Sequence, residues 1–334
     1  MKIQFNPDLD YQKVAIESVV GVFEGQETCQ TNFSVPAYGT SAAHQPDMLQ
    51  SSEHDDLGIG NRLELLTDEV LENTQQVQLN QGLKQSKALD SMDFTVEMET
   101  GTGKTYVYLR SIFELNQRYG FTKFIVVVPS VAIKEGVYKS LQITEQHFKD
   151  QYNNVQYDYF VYDSQKREQV RSFATNDYIQ IMVINIDAFR KSFTDPSKET
   201  KANLIHRSDD RLNGMKPIEF IRSTRPVVVI DEPQSVDTTA KSKEAIASLN
   251  PLCTFRYSAT HKDKYNLLYK LDSIDAYEQK LVKQIEVAHI NVRDGHNKAY
   301  IKLLDAKSNK SGISAKIEMD VMQAGSVRRT TKTG

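Results

Sequence analysis

Two short stretches of this chain carry residue types at spacings suited to phosphate chemistry. In VEMETGTGKTYVYL, residues 96–109, Gly101 and Gly103 flank Thr102 and lead into Lys104 and Thr105. Glycines there permit a tight backbone whose N–H groups, with the N-terminus of a following helix, converge on an anion. Lys104 would reach the β and γ phosphates of a nucleotide as a point charge, the Thr105 hydroxyl would ligate Mg²⁺, and Thr100, Gly101, Thr102 and Gly103 would line the cradle. The strict pattern GxxxxGK[ST] fails at its first position, where Met98 stands. The second stretch, VVVIDEPQ at 227–234, ends an apolar run on Asp231 and Glu232. One carboxylate in that place can hold Mg²⁺, and its neighbour can orient or deprotonate an attacking water. Each stretch has a plainer reading, a glycine turn or a solvated Asp-Glu pair before Pro233. Found together, at the ends of two apolar runs, they favour the phosphate reading.

The elements that must position these residues follow from hydrophobic patterning. FTVEM, KFIVVVP, VQYDYFVY, YIQIMVINI, PVVVID and LCTFRYS read as strands, and helical segments separate them. Continuous Val/Ile runs indicate strands covered on both faces, as in a parallel sheet between helices. The βα alternation from residue 93 to 260 therefore predicts one doubly wound α/β domain, a lobe spanning 93–262. Residues 1–23 hold an amphipathic helix. From residue 24 to 92 the texture turns polar, with three basic against eleven acidic residues between Glu24 and Asp90. It reads as a solvated, partly disordered insertion in which only LELLTDEVLENTQQV is helical. After residue 263, NLLYKLDSIDAYEQKLVKQIEV reads as helix and AYIKLLDAKSNKSGISAKIEMDV as two strands around a turn, a small β-rich extension. SVRRTTKTG closes no recognisable element.

Composition removes several function classes. The 334 residues carry 41 Lys plus Arg against 44 Asp plus Glu, a net charge of −3, so any nucleic-acid contact must be local. Cys29 and Cys253 have no paired spacing, and the seven histidines form no HExxH arrangement, which argues against a zinc site. The N-terminus lacks the apolar core of a signal peptide, and no run approaches the roughly 18 apolar residues of a membrane span, so a cytoplasmic protein with no membrane partner is expected.

With these motifs in place, the chain resembles superfamily 2 helicase and translocase motors, and among them the restriction subunit of type III restriction enzymes. METGTGKT matches motif I, VVVPSVAIKEGV resembles motif Ia, INIDAF a later strand-end motif, and RYSATHKDKYNLLYKL motif III. The DEPQ tetrad points to type III enzymes in place of the commoner DEAD or DEAH. The resemblance implies a RecA-like fold with ATP and Mg²⁺ as cofactors, Lys104 and Glu232 as catalytic residues, and Thr105 and Asp231 as metal ligands. It implies that Gln12, in FNPDLDYQKVAIESVVGVF, hydrogen-bonds adenine, and that Pro129, Ser130, Asn185, Ser258 and Thr260 couple the site to DNA. The implied partners are duplex DNA and a modification methyltransferase, and the implied activity is ATP-dependent translocation or signalling along DNA that leads to cleavage in the full-length protein. Motors of this kind take an arginine finger from a second lobe, and 74 residues after Thr260 are too few for it, so weak turnover by this chain alone is expected. Competing readings are the motor lobe of another superfamily 2 helicase, or a non-catalytic fragment that binds the methyltransferase.

Three further features attract chemistry and are read otherwise. Asp294 with Asp305, Ala306 and Lys307 mimics a metal nuclease signature but reads as an exposed hairpin face. Tyr152, Tyr157, Tyr159, Phe160 and Tyr162 could stack bases, yet alternation along a strand makes packing the expected role. The basic RRTTK tail reads as solvated.

Overall fold

A computed structural model describes residues 5–35, 56–166, 168–192, 196–212, 214–283, 300–309, 312–323 and 326–333. The chain divides into two compact units, Met1–Lys283 and Gln284–Gly334. In the first unit helix α1 (Asp10–Val20) precedes strands β1 (Gln30–Val35) and β2 (Asp56–Asn61) and helix α2 (Thr67–Asn80). Then follow β3 (Asp93–Met98), α3 (Lys104–Tyr119), β4 (Lys123–Val128), α4 (Val131–Gln151), β5 (Tyr157–Val161), α5 (Glu168–Thr175) and β6 (Ile179–Asn185). The unit continues through α6 (Pro217–Ser223), β7 (Val227–Asp231), α7 (Pro233–Val236), α8 (Ala240–Ser248), β8 (Cys253–Ser258), β9 (Leu267–Leu271) and α9 (Ser273–Glu278).

Seven strands form one parallel sheet in the order β5-β6-β4-β7-β8-β3-β9, the RecA-like architecture. The continuous Val/Ile runs are explained by the two cores they feed. Alternate residues of β4, Phe124, Val126 and Val128, join the core under α1, α3 and α4. Ile125 and Val127 join a second core shared with α5, α6 and α8. Strand β3 departs from this rule. Phe94, Val96 and Met98 are buried apolar residues, while Asp93, Thr95 and Glu97 alternate with them along a strand that the sheet otherwise buries.

That polar stripe is satisfied by β8 and the loop after it. Arg256 bridges Asp93 (3.0 Å) and Asp237, and its guanidinium lies 4.7 Å from the Tyr265 ring centre. The Tyr265 N–H donates to Thr95 Oγ1 at 2.9 Å, Lys264 pairs with Glu97, and His261 Nε2 lies 3.2 Å from the Val96 carbonyl oxygen. The β8–β9 loop is thereby stitched to the strand that leads into the phosphate loop.

Three expectations need correction. The stretch 24–92 is not simply a solvated insertion where it is described; residues 36–55 lie outside the described residues. Helix α2 buries Val70, Thr74, Val77 and Gln78, one face at helical spacing. Polar residues of this stretch tie backbone together. The Asn61 amide donates to the carbonyls of Lys123 and Arg225 (2.9 and 3.1 Å) and accepts from the N–H groups of Thr122 and Lys123 (2.9 and 3.1 Å). Gln78 accepts from the Ser86 N–H at 2.7 Å and donates to the Leu267 carbonyl at 3.1 Å. The second correction is β9: LLYKL is an edge strand beside β3, not helix, and the helix that follows is the short α9, capped by Asp272. Leu268, Tyr269 and Leu271 are buried and Lys270 is exposed, a pattern that five residues leave ambiguous between the two periods.

The second unit carries the third correction. Its strands β10 (Ile301–Asn309), β11 (Gly312–Gln323) and β12 (Ser326–Thr333) form an antiparallel meander, so SVRRTTKT is a strand. The Arg329 guanidinium forks onto the Asp320 carboxylate (2.9 and 3.2 Å), a cross-strand pair that composition alone could not reveal. Asp305 and Lys307 are exposed on β10, and Asp294 lies outside the described residues. Among the described residues no helix is long and apolar enough to cross a membrane.

Candidate functional site

Strand β3 ends at Met98, and after five intervening residues α3 begins at Lys104. The turn between them needs its glycines: Gly101 and Gly103 have φ of 85° and 91°, values that a side chain disfavours. At Gly103 a Cβ would also come within 2.5 Å of the Gln12 amide nitrogen. That amide donates to the Thr102 carbonyl at 3.0 Å, and the Tyr11 hydroxyl donates to the same oxygen at 3.0 Å. Gln12, buried at the start of α1, therefore braces the loop from behind. Thr102 is buried and its hydroxyl donates to the Glu99 carbonyl at 2.6 Å, while Thr100 is exposed and its N–H donates to the Glu99 carboxylate at 2.7 Å.

Strand β7 delivers Asp231 and Glu232 beside this loop. Lys104 Nζ lies 2.5 Å from Glu232 Oε1. The other carboxylate oxygen of Glu232 accepts from Ser258 Oγ at 2.8 Å and Gln234 Nε2 at 2.5 Å. Ser258 Oγ in turn accepts from the Thr260 N–H at 3.1 Å. Motifs on β3, β7 and β8 thus meet in one chain of contacts around a single carboxylate. Glu232 takes a left-handed backbone, φ 54° and ψ 62°, a strain of about 1 kcal/mol or more that clusters at functional positions. Burial works to raise its pKa, but the Lys104, Gln234 and Ser258 contacts outweigh that and hold it below the usual carboxylate value.

Asp231 is buried at the strand end. Burial, with the Glu232 charge beside it, pushes its carboxyl up to about 6 against the opposing pull of Lys104. Magnesium takes oxygen ligands and uses one or two protein groups beside substrate phosphates. Thr105, in the first turn of α3, and Asp231 supply that donor set, and among the described residues no cluster of three or more His, Cys, Asp or Glu side chains offers a denser metal site. The residues present fit a phosphate-bound Mg²⁺.

The other residues singled out from sequence also stand at C-terminal ends of parallel strands. Pro129 and Ser130 follow β4 and Asn185 ends β6, separated by β7 and β8 from the loop after β3. The two polar ones are engaged with their own loops. Ser130 Oγ accepts from the Ile133 N–H at 3.3 Å as the cap of α4, and Asn185 Oδ1 accepts from the Asp187 N–H at 2.8 Å. The tyrosine cluster divides. Tyr152 and Tyr157 pack on Phe113 at ring separations of 5.1 and 5.0 Å. Tyr159 and Tyr162 line a groove of about 820 Å³ with Lys134, Tyr138 and Lys166.

Sequence reasoning left Tyr11, Glu99, Tyr108 and Gln234 without roles. Tyr108 had a signal, its i+3 spacing from Thr105 on one helix face. Gln234 had one too, as the fourth member of DEPQ, but its bond to Glu232 depends on the left-handed turn.

A family model described as "Type III restriction enzyme, res subunit" matches residues 65–263. The chain is 35% identical over 245 residues to the EcoP15I Res subunit of Escherichia coli, a match covering 67% of this chain and 24% of that protein. It is 29% identical over 302 residues to the EcoPI Res subunit of Escherichia phage P1, covering 84% and 28%. To the StyLTI Res subunit of Salmonella typhimurium it is 32% identical over 240 residues, covering 64% and 24%. The chain spans about a quarter of the length of these relatives.

Proposed function

This chain belongs to the family of type III restriction enzyme Res subunits, and on that premise we propose that residues 1–283 form an ATP-binding, helicase-type motor lobe of such an enzyme. The observation that carries this reading is the convergence of Lys104, Asp231, Glu232 and Ser258 at one end of the sheet, with Lys104 and Glu232 in contact at 2.5 Å. In it, the Gly101–Gly103 backbone cradles the phosphates, and Lys104 exchanges the Glu232 carboxylate for phosphate oxygens. Glu232, released on that side and still held by Gln234 and Ser258, orients and deprotonates the attacking water. Thr105 and Asp231 would hold Mg²⁺, which supplies charge neutralisation on the phosphates. Gln12, within reach of Gly103, would read the adenine.

Ser258 bonds Glu232 and Thr260, and Pro129, Ser130 and Asn185 stand at the same C-terminal edge of the sheet, the edge on which we place duplex DNA. The groove at the end of β5 supports that placement by its aromatic lining, Tyr138, Tyr159, Phe160 and Tyr162, with Lys134 and Lys166 offset in charge by Glu135 and Asp163. In a protein of the relatives' length, hydrolysis would drive movement or signalling along DNA before cleavage, beside a modification methyltransferase.

The deciding experiment measures nucleotide binding and ATP hydrolysis by this chain, with and without duplex DNA, beside Lys104→Ala and Glu232→Gln. Binding that Lys104→Ala abolishes is the expected result. Binding indifferent to Lys104 would sink the phosphate-loop reading. Turnover that DNA stimulates and both substitutions abolish would show that the chain, alone or self-associated, also supplies the charge that completes the transition state.

A further inference from the structure

One buried polar group beside this site has no role in the mechanism above, the hydroxyl of Tyr108. Tyr108 lies one helical turn after Thr105 on α3, is fully buried, and meets the Tyr257 ring edge-on at 5.5 Å. Its hydroxyl donates to Asp231 Oδ2 across 3.5 Å, and Thr105 stands three residues before it on the same face of the helix. Those are the two groups assigned above to Mg²⁺. A buried phenol has little water to turn to and takes its partner from what surrounds it. Phenylalanine would fill nearly the same volume, so a hydroxyl placed against the Asp231 carboxylate calls for a reason other than packing.

We propose that Tyr108 is a positioning residue for magnesium, its hydroxyl orienting the Asp231 carboxylate beside Thr105. Groups in this outer position typically govern metal affinity by 10- to 100-fold when removed. The inference rests on the magnesium reading of Thr105 and Asp231.

The experiment measures the affinity of a fluorescent ATP analogue for the whole chain, once with Mg²⁺ and once with EDTA, for the unaltered protein, Tyr108→Phe, Tyr257→Phe and Asp231→Asn. Tyr108→Phe is expected to weaken binding roughly tenfold in Mg²⁺ and to leave the EDTA value unchanged. Tyr257→Phe, which removes a neighbouring buried hydroxyl that faces neither ligand, is expected to change neither. Equal affinities for Tyr108→Phe and the unaltered protein, or equal losses in both conditions, overturn the inference and leave Tyr108 a packing residue. Nucleotide binding by the unaltered protein that ignores Mg²⁺ and Asp231→Asn alike would overturn the metal site itself, and the inference with it. Should Tyr108→Phe fold poorly, 3-fluorotyrosine at position 108 gives a second reading. Its ¹⁹F resonance is expected to move on adding ATP with Mg²⁺ and to stay put with ATP in EDTA, and a resonance that treats the two alike overturns the proposal.

Discussion

Lys104 and Glu232 neutralise one another across 2.5 Å, although 128 residues separate them in the chain. The lysine that would bind phosphate and the carboxylate that would work on water are each the other's counter-ion. On the proposed reading, nucleotide binding would break this pair, the phosphate charge replacing what Lys104 gives up.

It follows that Glu232→Gln should bind ATP at least as tightly as the unaltered chain, because Lys104 no longer has a carboxylate to leave. Hydrolysis, measured in single turnover, should fall by roughly 10²-fold or more. A Glu232→Gln chain that loses ATP affinity would show that the pair organises the loop and does not restrain it.

Gly103→Ala should cost both stability and nucleotide affinity. The left-handed φ of 91° contributes a strain of about 1 kcal/mol or more, and the Cβ meets the Gln12 amide at 2.5 Å. Adding Gln12→Ala removes the clash but not the dihedral strain, so thermal melting should recover in part. Full recovery would mean that the backbone conformation carries no cost.

Arg256 lies buried between Asp237, just after the DEPQ helix, and Asp93 at the start of β3. Breaking a buried pair from one side leaves a charge without its partner, at a cost of about 3–5 kcal/mol. Urea unfolding of Arg256→Met should show a loss of that order, and Asp237→Asn a smaller one, since Asp93 still answers the guanidinium. An Arg256→Met chain as stable as the unaltered one would remove this pair from the forces that hold α7 to the sheet.

Lys123, at the start of β4, is wholly buried, with its ammonium on the Asn176 carbonyl. Burial drives its pKa from 10.5 down to about 7, against an opposing pull from Asp177. Between those two values the unfolded chain holds a proton that the folded chain has released, so stability should rise with pH from about 7 towards 10.5. Lys123→Met should flatten that rise and stabilise the protein at neutral pH by on the order of 1 kcal/mol or more. A pH profile of urea midpoints for the two chains decides it.

Much of this protein was legible in its sequence because the features concerned are local. Glycines that admit a left-handed turn, a lysine and threonine opening a helix, and two carboxylates ending a Val/Ile run each need only their neighbours to take shape. The doubly wound sheet was legible for the same reason, since strands covered on both faces must be continuously apolar. Asn61 and Gln78 misled because polar side chains were counted as solvated, and in the folded chain they bind backbone groups from distant elements. Strand β9 misled because five residues do not distinguish one period from the other.

Sequence alone determined the class of fold, the phosphate loop and the carboxylate pair, all properties of short segments. Tertiary structure alone decided that Lys104 meets Glu232, that Gln12 braces Thr102, that Arg256 joins Asp93 to Asp237, and that Tyr108 meets Asp231. Such pairings depend on which strands the sheet sets side by side. Strand order is settled by the packing of two whole cores, and no single segment contains it.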